Sequence, residues 1–493
     1  MHPKVAVATL LAFAHICSAI VNITIPPYEP KLARIVPKSL VGISIEMDRW
    51  IDWSGPAVGE PNKLVNQLLS NLANYTGQAV PLRVGGESQD RGFLAPEFEV
   101  QNLTFPAATA LVPQPEASRI GIGRDWYKLS GNFPPYDDFY GSGAQALAHP
   151  DIYDYPNPLN PNAGIPGWSA KRYIETWNRA AEGLIKKLNS DVPHGPRFQA
   201  GVIADPFNAW IWGIRQALVD GLQDSAAAKY IKTYRSLFNS IACQGSRITR
   251  DGIPPASGSL MGRAGVRGNL TKHAEYAEQT NRAGYEYVIG ETNSFSLHGV
   301  PGVSNTAEAA IWLADYALQA ATLGVKELDF HSGRGFAYNL IQPVAYESDT
   351  TNMSMPAGIE GGYYGALMVN EFIGLYPEVK IEELPTFNTG VSAYGAWEGG
   401  DLRRILVLNS AVYNSTANST RDYQTIQLIG HKEQKTTVKR FYAPETFSTS
   451  GLLWGGQSFE TADGKPSDQV TYESLSGTIL NVTATEGVLV CFK

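Results

Sequence analysis

The sequence predicts an α/β protein, a (β/α)8 TIM barrel followed by a C-terminal antiparallel β-sandwich. Three observations carry that prediction. The chain has 493 residues, too many for one small core and suited to a barrel-sized domain plus a smaller one. Strand-like and helix-like segments alternate along its middle, the pattern of parallel strands joined by crossover helices. After Tyr376 the helices give way to short β-type runs with Gly, Asn and Asp turns between them.

Residues 1–19 read as a secretory signal peptide. Lys4 precedes an apolar run from Val5 to Ile16, and Cys17 and Ala19 stand at −3 and −1 of a cut after Ala19. The alternative is an anchor helix, but the run is short for a bilayer span. The expectation is therefore a secreted, extracellular protein with no membrane attachment after cleavage. The barrel is expected over residues 20–375. "VNITIPPY" (21–28) stands apart from it, and residues 20–30 are candidates to pair with the C-terminal domain. "LVGISIEM" (40–47) and "VPLRVGG" (80–86) are strands, with an amphipathic helix over 63–77 between them. A second helix over 171–190 leads into the strand candidate "RFQAGVIAD". Helices are predicted over 228–241, 269–284 and 306–324, and strands over 285–291 and 325–332. Residues 376–493 form the β-sandwich, with runs such as "VSAYGAWE", "RRILVLNSAVY" and "TTVKRFYA".

A net charge of −8 and the absence of any long Lys/Arg run argue against nucleic acid, whose phosphates need a basic face. Sequons N-x-S/T stand at Asn22, Asn74, Asn102, Asn269, Asn352, Asn414, Asn418 and Asn481. With a signal peptide they suggest N-glycans at some of these positions. Once Cys17 leaves with the signal, Cys243 and Cys491 remain, as one long-range bridge or as two thiols. No HExxH, CxxC, GxSxG or P-loop pattern is present, so no metal and no cofactor is expected.

Catalytic groups of such a barrel sit at the C-terminal ends of its strands. That rule singles out Glu46, Glu87, Asp205, Glu291 and His331. Glu291 is the sharpest, because a buried strand ends there and a polar, Gly-rich loop follows. Asp205 is ambiguous: Asp before Pro206 is also ordinary helix-capping chemistry. Two facing carboxylates about 5–5.5 Å apart are what a retaining glycosidase needs.

"PLRVGGESQDR", "YVIGETNSFSLHGVPGVSNT", "FHSGRGFAYNLIQPV" and the trailing β-domain resemble glycoside hydrolase family 79, which includes secreted β-glucuronidases and heparanase-like enzymes. The resemblance runs from about Val41 to the C-terminus. It implies retaining cleavage of a uronic-acid-containing glycan, with Glu291 at the nucleophile position. It implies that Glu46, Glu87, Ser88 and Tyr338 contact the sugar and that Arg83 braces the carboxylates from below. The N–H groups of the Gly299–Gly302 loop could receive an anion. The family's acid/base lies in an Asn-Glu-Pro segment, and here that segment is Ala204-Asp205-Pro206. Asp205 is thus the candidate acid/base, but its side chain is shorter by one C–C bond, about 1.5 Å. The stretch from Asp205 to Glu291 should hold about three βα units of about 30 residues. Only one weak strand candidate, around 246–259, lies inside it, so the barrel is irregular there or the gene model has lost an exon. Two readings follow: a β-glucuronidase-like hydrolase with weakened activity, or a sugar-binding pseudoenzyme.

Overall fold

The structure is a computed structural model that describes residues 20–86, 88, 91–109, 112–134, 170–188, 198–200, 213–237, 258–295, 298–417, 420–430 and 435–492. The N-terminal strands β1 (Val21–Thr24) and β2 (Arg34–Val36) belong by pairing to the C-terminal sheets. The barrel sheet then begins with β3 (Val41–Glu46) and β4 (Leu82–Gly85), and continues with β5 (Phe198–Ala200), β6 (Ile231–Leu237), β7 (Glu286–Thr292) and β8 (Val325–Ser332). Their spatial order is β4-β3-β8-β7-β6-β5, and every neighbouring pair is parallel. All six strands therefore end at one face of the barrel.

The helices longer than two turns are α1 (Lys63–Thr76), α2 (Ala170–Leu188), α3 (Arg263–Arg282), α4 (Ala307–Thr322) and α5 (Gly361–Ile373). The side chain of Asn62 caps α1 by accepting from the Val65 N–H at 3.1 Å, and Gly77 ends it at φ 71°. In α5 every residue except Glu371 is buried. A helix with no polar face belongs between layers, and α5 lies between α1, α4 and the C-terminal domain.

One prediction is corrected. Residues 231–237 form strand β6, where a helix is predicted over 228–241. β6 fills the slot between β5 and β7, and that tertiary position overrides a periodicity its β-branched and aromatic residues do not require. It also bears on the short span before Glu291. β7 pairs directly with β6, so no sixth-strand insert separates them and no open edge is left there. The weak candidate over 246–259 lies almost wholly outside the described residues, as does Cys243.

The C-terminal domain holds β9 (Val379–Glu383), β10 (Val391–Glu398), β11 (Asp401–Asn409), β12 (Tyr423–Ile429), β13 (Thr436–Tyr442), β14 (Ile479–Thr483) and β15 (Glu486–Phe492). An eight-stranded sheet contains β2-β9-β10-β11-β15-β13, and a three-stranded sheet runs β1-β12-β14. Val391, Ile405, Val407 and Val488 of the large sheet pack against Ile23, Ile426 and Val482 of the small one, which makes the sandwich. The other face of the large sheet sends Tyr394, Leu406, Phe441 and Leu489 into the barrel's own core.

Candidate active site

Strand register builds the floor of the site. Arg83 of β4 lies opposite Ser44 of β3, and Ser44 lies opposite His331 of β8. These three residues form one row across adjacent strands, just before the strands end. The row is linked: the Arg83 Nη1–H donates to Ser44 Oγ at 2.7 Å, and Ser44 Oγ lies 3.4 Å from His331 Nδ1. Glu291, next to last in β7, meets the same row. Arg83 Nη1 donates to its Oε2 at 2.7 Å, and His331 Nδ1 is 3.9 Å from its Oε1. A carboxylate so held has a fixed position and a countercharge.

Glu46, the last residue of β3, completes the cluster. Its Oε1 is 3.0 Å from His331 Nε2. Its Oε2 accepts from the Ser88 hydroxyl and, at 3.3 Å, from the Ser88 N–H. Ser88 Oγ in turn accepts from the Met47 N–H at 2.9 Å. The loop can close this tightly because Gly86, at φ 84°, faces the Glu46 carboxylate, and a Cβ there would overlap it.

Burial and charge shift the titration of Glu46 and His331. Burial first, and then the charge of Glu116, raise the Glu46 carboxyl to about 7. Burial works against a charged His331, but Glu291 and Glu46 outweigh it and raise the imidazole to about 9. Glu291 is also the most open: its side chain is 14% exposed, against 4% for Arg83 and 2% for Glu46. Of the two carboxyls, Glu291 is the one a substrate can reach.

The wall comes from two loops. Tyr338 is buried with its ring 6.0 Å from that of His331. Burial, with Glu291 and Glu46 nearby, pushes its phenol well above the usual range, so it stays a neutral hydroxyl. Asn293, just after β7, ties the loops together by donating to His331 O at 2.9 Å and Tyr338 O at 3.0 Å. Phe336 stacks on His298 at 3.7 Å between centroids. His298 has φ 70°, a left-handed conformation uncommon outside glycine, and its Nε2 is 3.9 Å from Glu116. Burial opposes the charge on Glu116, yet His298 and Arg91 hold its carboxyl down to about 2.

The structure thus brings together Glu291, Glu46, Ser88, Arg83 and Tyr338 from the sequence reading, with His331 at their centre. Glu46 is a buried hub of the cluster. Asp205 and Glu87 lie outside the described residues. In the Gly299–Gly302 loop, Val300 N–H already donates to Ser304 Oγ at 2.9 Å and Gly302 N–H to Asn305 Oδ1 at 2.7 Å, so two donors of the suggested anion site are engaged. Sequence reasoning missed Ser44, Glu116, Asn293 and His298. Ser44 was recoverable from its position two residues before Glu46 on the same face of the strand. Glu116 sits in the loop "PQPEAS", where nothing local marks it.

Comparisons with known proteins agree with this geometry. Residues 393–489 match the glycosyl hydrolase family 79 C-terminal beta domain. A β-glucuronidase of Neurospora crassa is 25% identical, over 93% of this chain and 91% of its own. A β-glucuronidase of Aspergillus niger is also 25% identical, over 86% of this chain and 84% of its own. Among solved structures, a 4-O-α-L-rhamnosyl-β-D-glucuronidase from Fusarium oxysporum 12S superposes with a TM-score of 0.74 at 20% identity, covering 96% of this chain and 100% of that one. A family 51 α-L-arabinofuranosidase from Bifidobacterium longum follows at a TM-score of 0.53 and 13% identity, covering 96% and 99%. Barrel, strand-end carboxylates and the matched C-terminal domain together support glycoside hydrolase family 79 as the family this chain resembles.

Proposed function

We propose that the protein is a secreted retaining glycoside hydrolase that removes terminal glucuronic acid from extracellular glycans. The observation that carries this reading is the setting of Glu291. It is a partly open carboxylate at the C-terminal end of a barrel strand, held by Arg83 and flanked by a buried Glu46–His331 pair. In the proposed reaction Glu291 attacks the anomeric carbon and the bond to the leaving oxygen breaks. Arg83 keeps the attacking oxygen ionised and aimed. Asp205 protonates the leaving oxygen and then draws a proton from water, which releases the sugar from Glu291. Ser88 and Glu46 hold His331 behind Glu291, and Tyr338 remains a neutral donor for the uronate. Glucuronidase relatives in two fungi support the choice of uronate. The test is release of an aryl alcohol from its β-glucuronide but not from the matching β-glucoside. Equal rates on both substrates remove the uronate assignment.

The Ala204-Asp205-Pro206 segment favours a second reading, a sugar-binding pseudoenzyme that keeps the pocket without turnover. Calorimetric binding of glucuronate by a protein with no detectable hydrolysis selects it over the first.

A further inference from the structure

The sequons are the one motif group that the catalytic reading leaves unused, and the sheet topology separates two of them from the rest. Asn22 lies on β1 and Asn481 on β14, the two outer strands of the three-stranded sheet. Each strand alternates buried and exposed residues, and both asparagines are exposed. Register puts Asn22 opposite Gln427 and Asn481 opposite Thr425, on either side of the shared central strand β12. Two strand spacings separate them laterally by about 10 Å. Their partners on β12 are two residues apart, so both point from the same outward face.

That face has an unusual composition. None of its strands, VNIT, YQTIQLI and ILNVT, contains a charged residue. It nevertheless exposes Tyr423 at 48%, Ile429 at 42% and Ile479 at 51%. Among the described residues β1 is also an edge strand, with nothing paired beyond it in the sheet. Edge strands are usually protected by charges, prolines or a covering element, and exposed apolar residues on an uncharged sheet face promote association. Here the residues placed where protection is needed are two glycosylation acceptors. Ile479 lies in the row of Asn22, across Gln427.

We propose that N-linked glycans on Asn22 and Asn481 shield this outer sheet face and its β1 edge from self-association. In the modification, the side-chain amide nitrogen bonds to C1 of the first sugar of a lipid-linked oligosaccharide. The bond from C1 to the pyrophosphate carrier breaks, and the nitrogen loses one proton. The inference rests on the export half of the proposed function. The test separates the two.

The full chain is secreted from a eukaryotic host, and each sequon asparagine is mapped by enzymatic deglycosylation in heavy-oxygen water and peptide mass spectrometry. Marked Asn22 and Asn481 are expected. If Asn102 or Asn352 is marked while both of these are bare, export stands and the shield is overturned. If no sequon is marked, both fall. The N22Q/N481Q variant should hydrolyse an aryl β-glucuronide with unchanged kcat/KM, since both residues are remote from the site, yet lose much of its monomer peak on size-exclusion chromatography. Adding I429T/I479T to that variant should restore the monomer. A double variant as monomeric as the parent overturns the proposal.

Discussion

At the scale of residues, the site works by giving neighbouring groups opposite protonation states. Glu46 is raised from 4.5 to about 7, so folding favours its protonated form. Its contribution to stability is full below the unfolded value and is lost as pH rises through about 7. His331, raised from 6.5 to about 9, contributes fully below 6.5 and loses its contribution as pH rises through about 9. Glu116, lowered from 4.5 to about 2, works in the other direction. Its contribution is present above 4.5 and is lost as pH falls through about 2. These groups together place their greatest stabilisation near pH 4.5, from which the Glu46 contribution falls up to about pH 7 and the His331 contribution from 6.5 up to about 9. Thermal unfolding followed from pH 5 to 9 should show a falling midpoint, and Glu46→Gln should flatten the part of that fall between pH 5 and about 7. An identical slope in the variant contradicts the assignment to Glu46.

Asp205 belongs to the same scale. Asp205→Glu lengthens the side chain by about 1.5 Å, and misplacement of about 1 Å can cost about 10²-fold in rate. On a glucuronide with a poor leaving group, where protonation limits bond cleavage, the variant should gain activity by up to about that factor. On an activated aryl glucuronide the gain in glycosylation should be smaller. Steady-state kinetics on the two substrates decides it. No gain on either contradicts the role of Asp205 as a short acid/base.

At the scale of elements, the apolar interface between sandwich and barrel encloses a buried ion pair. Lys439 of β13 has its Nζ 2.6 Å from Glu371 of α5 and 4.9 Å from the Trp454 ring centroid. The Trp454 Nε1–H donates to the same carboxylate oxygen at 2.6 Å. Removing one partner of a buried pair leaves the other charge uncompensated, at about 3–5 kcal/mol, whereas replacing a charge by an apolar isostere is often neutral. Glu371→Ala should therefore destabilise by about 3 kcal/mol in urea denaturation. K439M/E371Q, which keeps an acceptor for Trp454, should cost much less. Equal losses in both would show that the volume at this joint matters and the charge does not.

Elements also mark how far the sequence could be read. Strands β3, β4, β7 and β8 were legible because they alternate with amphipathic helices and end in polar or glycine residues. Helix α5 was not, because "GGYYGALMVNEFI" has no polar face and hence no helical period to detect. Strand β6 was misread because its aromatic residues mimic helical spacing, and only the slot between β5 and β7 decides otherwise. In the site, Glu291, Glu46 and Arg83 could be found from their places at strand ends. His331 was flagged by the same rule, but its role as the bridge between two carboxylates depends on register across β3, β8 and β7. Glu116 and His298 reach the site through loop geometry that leaves no periodic trace.

At the scale of the whole molecule, the parallel sheet gathers residues from four strands and the loops around them at one face, and the sandwich braces the helices behind it. The central claim is that this assembly serves Glu291 as a nucleophile. The measurement that tests it most directly is covalent trapping with 2-deoxy-2-fluoro-β-glucuronyl fluoride. The fluoride leaves with little protonation, so the outcome does not depend on Asp205. The fluorine at C2 slows release of the sugar from the enzyme. Peptide mapping should find one added 2-fluoroglucuronyl group, on Glu291, and none in Glu291→Gln. An unlabelled protein, or a label on any other carboxylate, contradicts the claim.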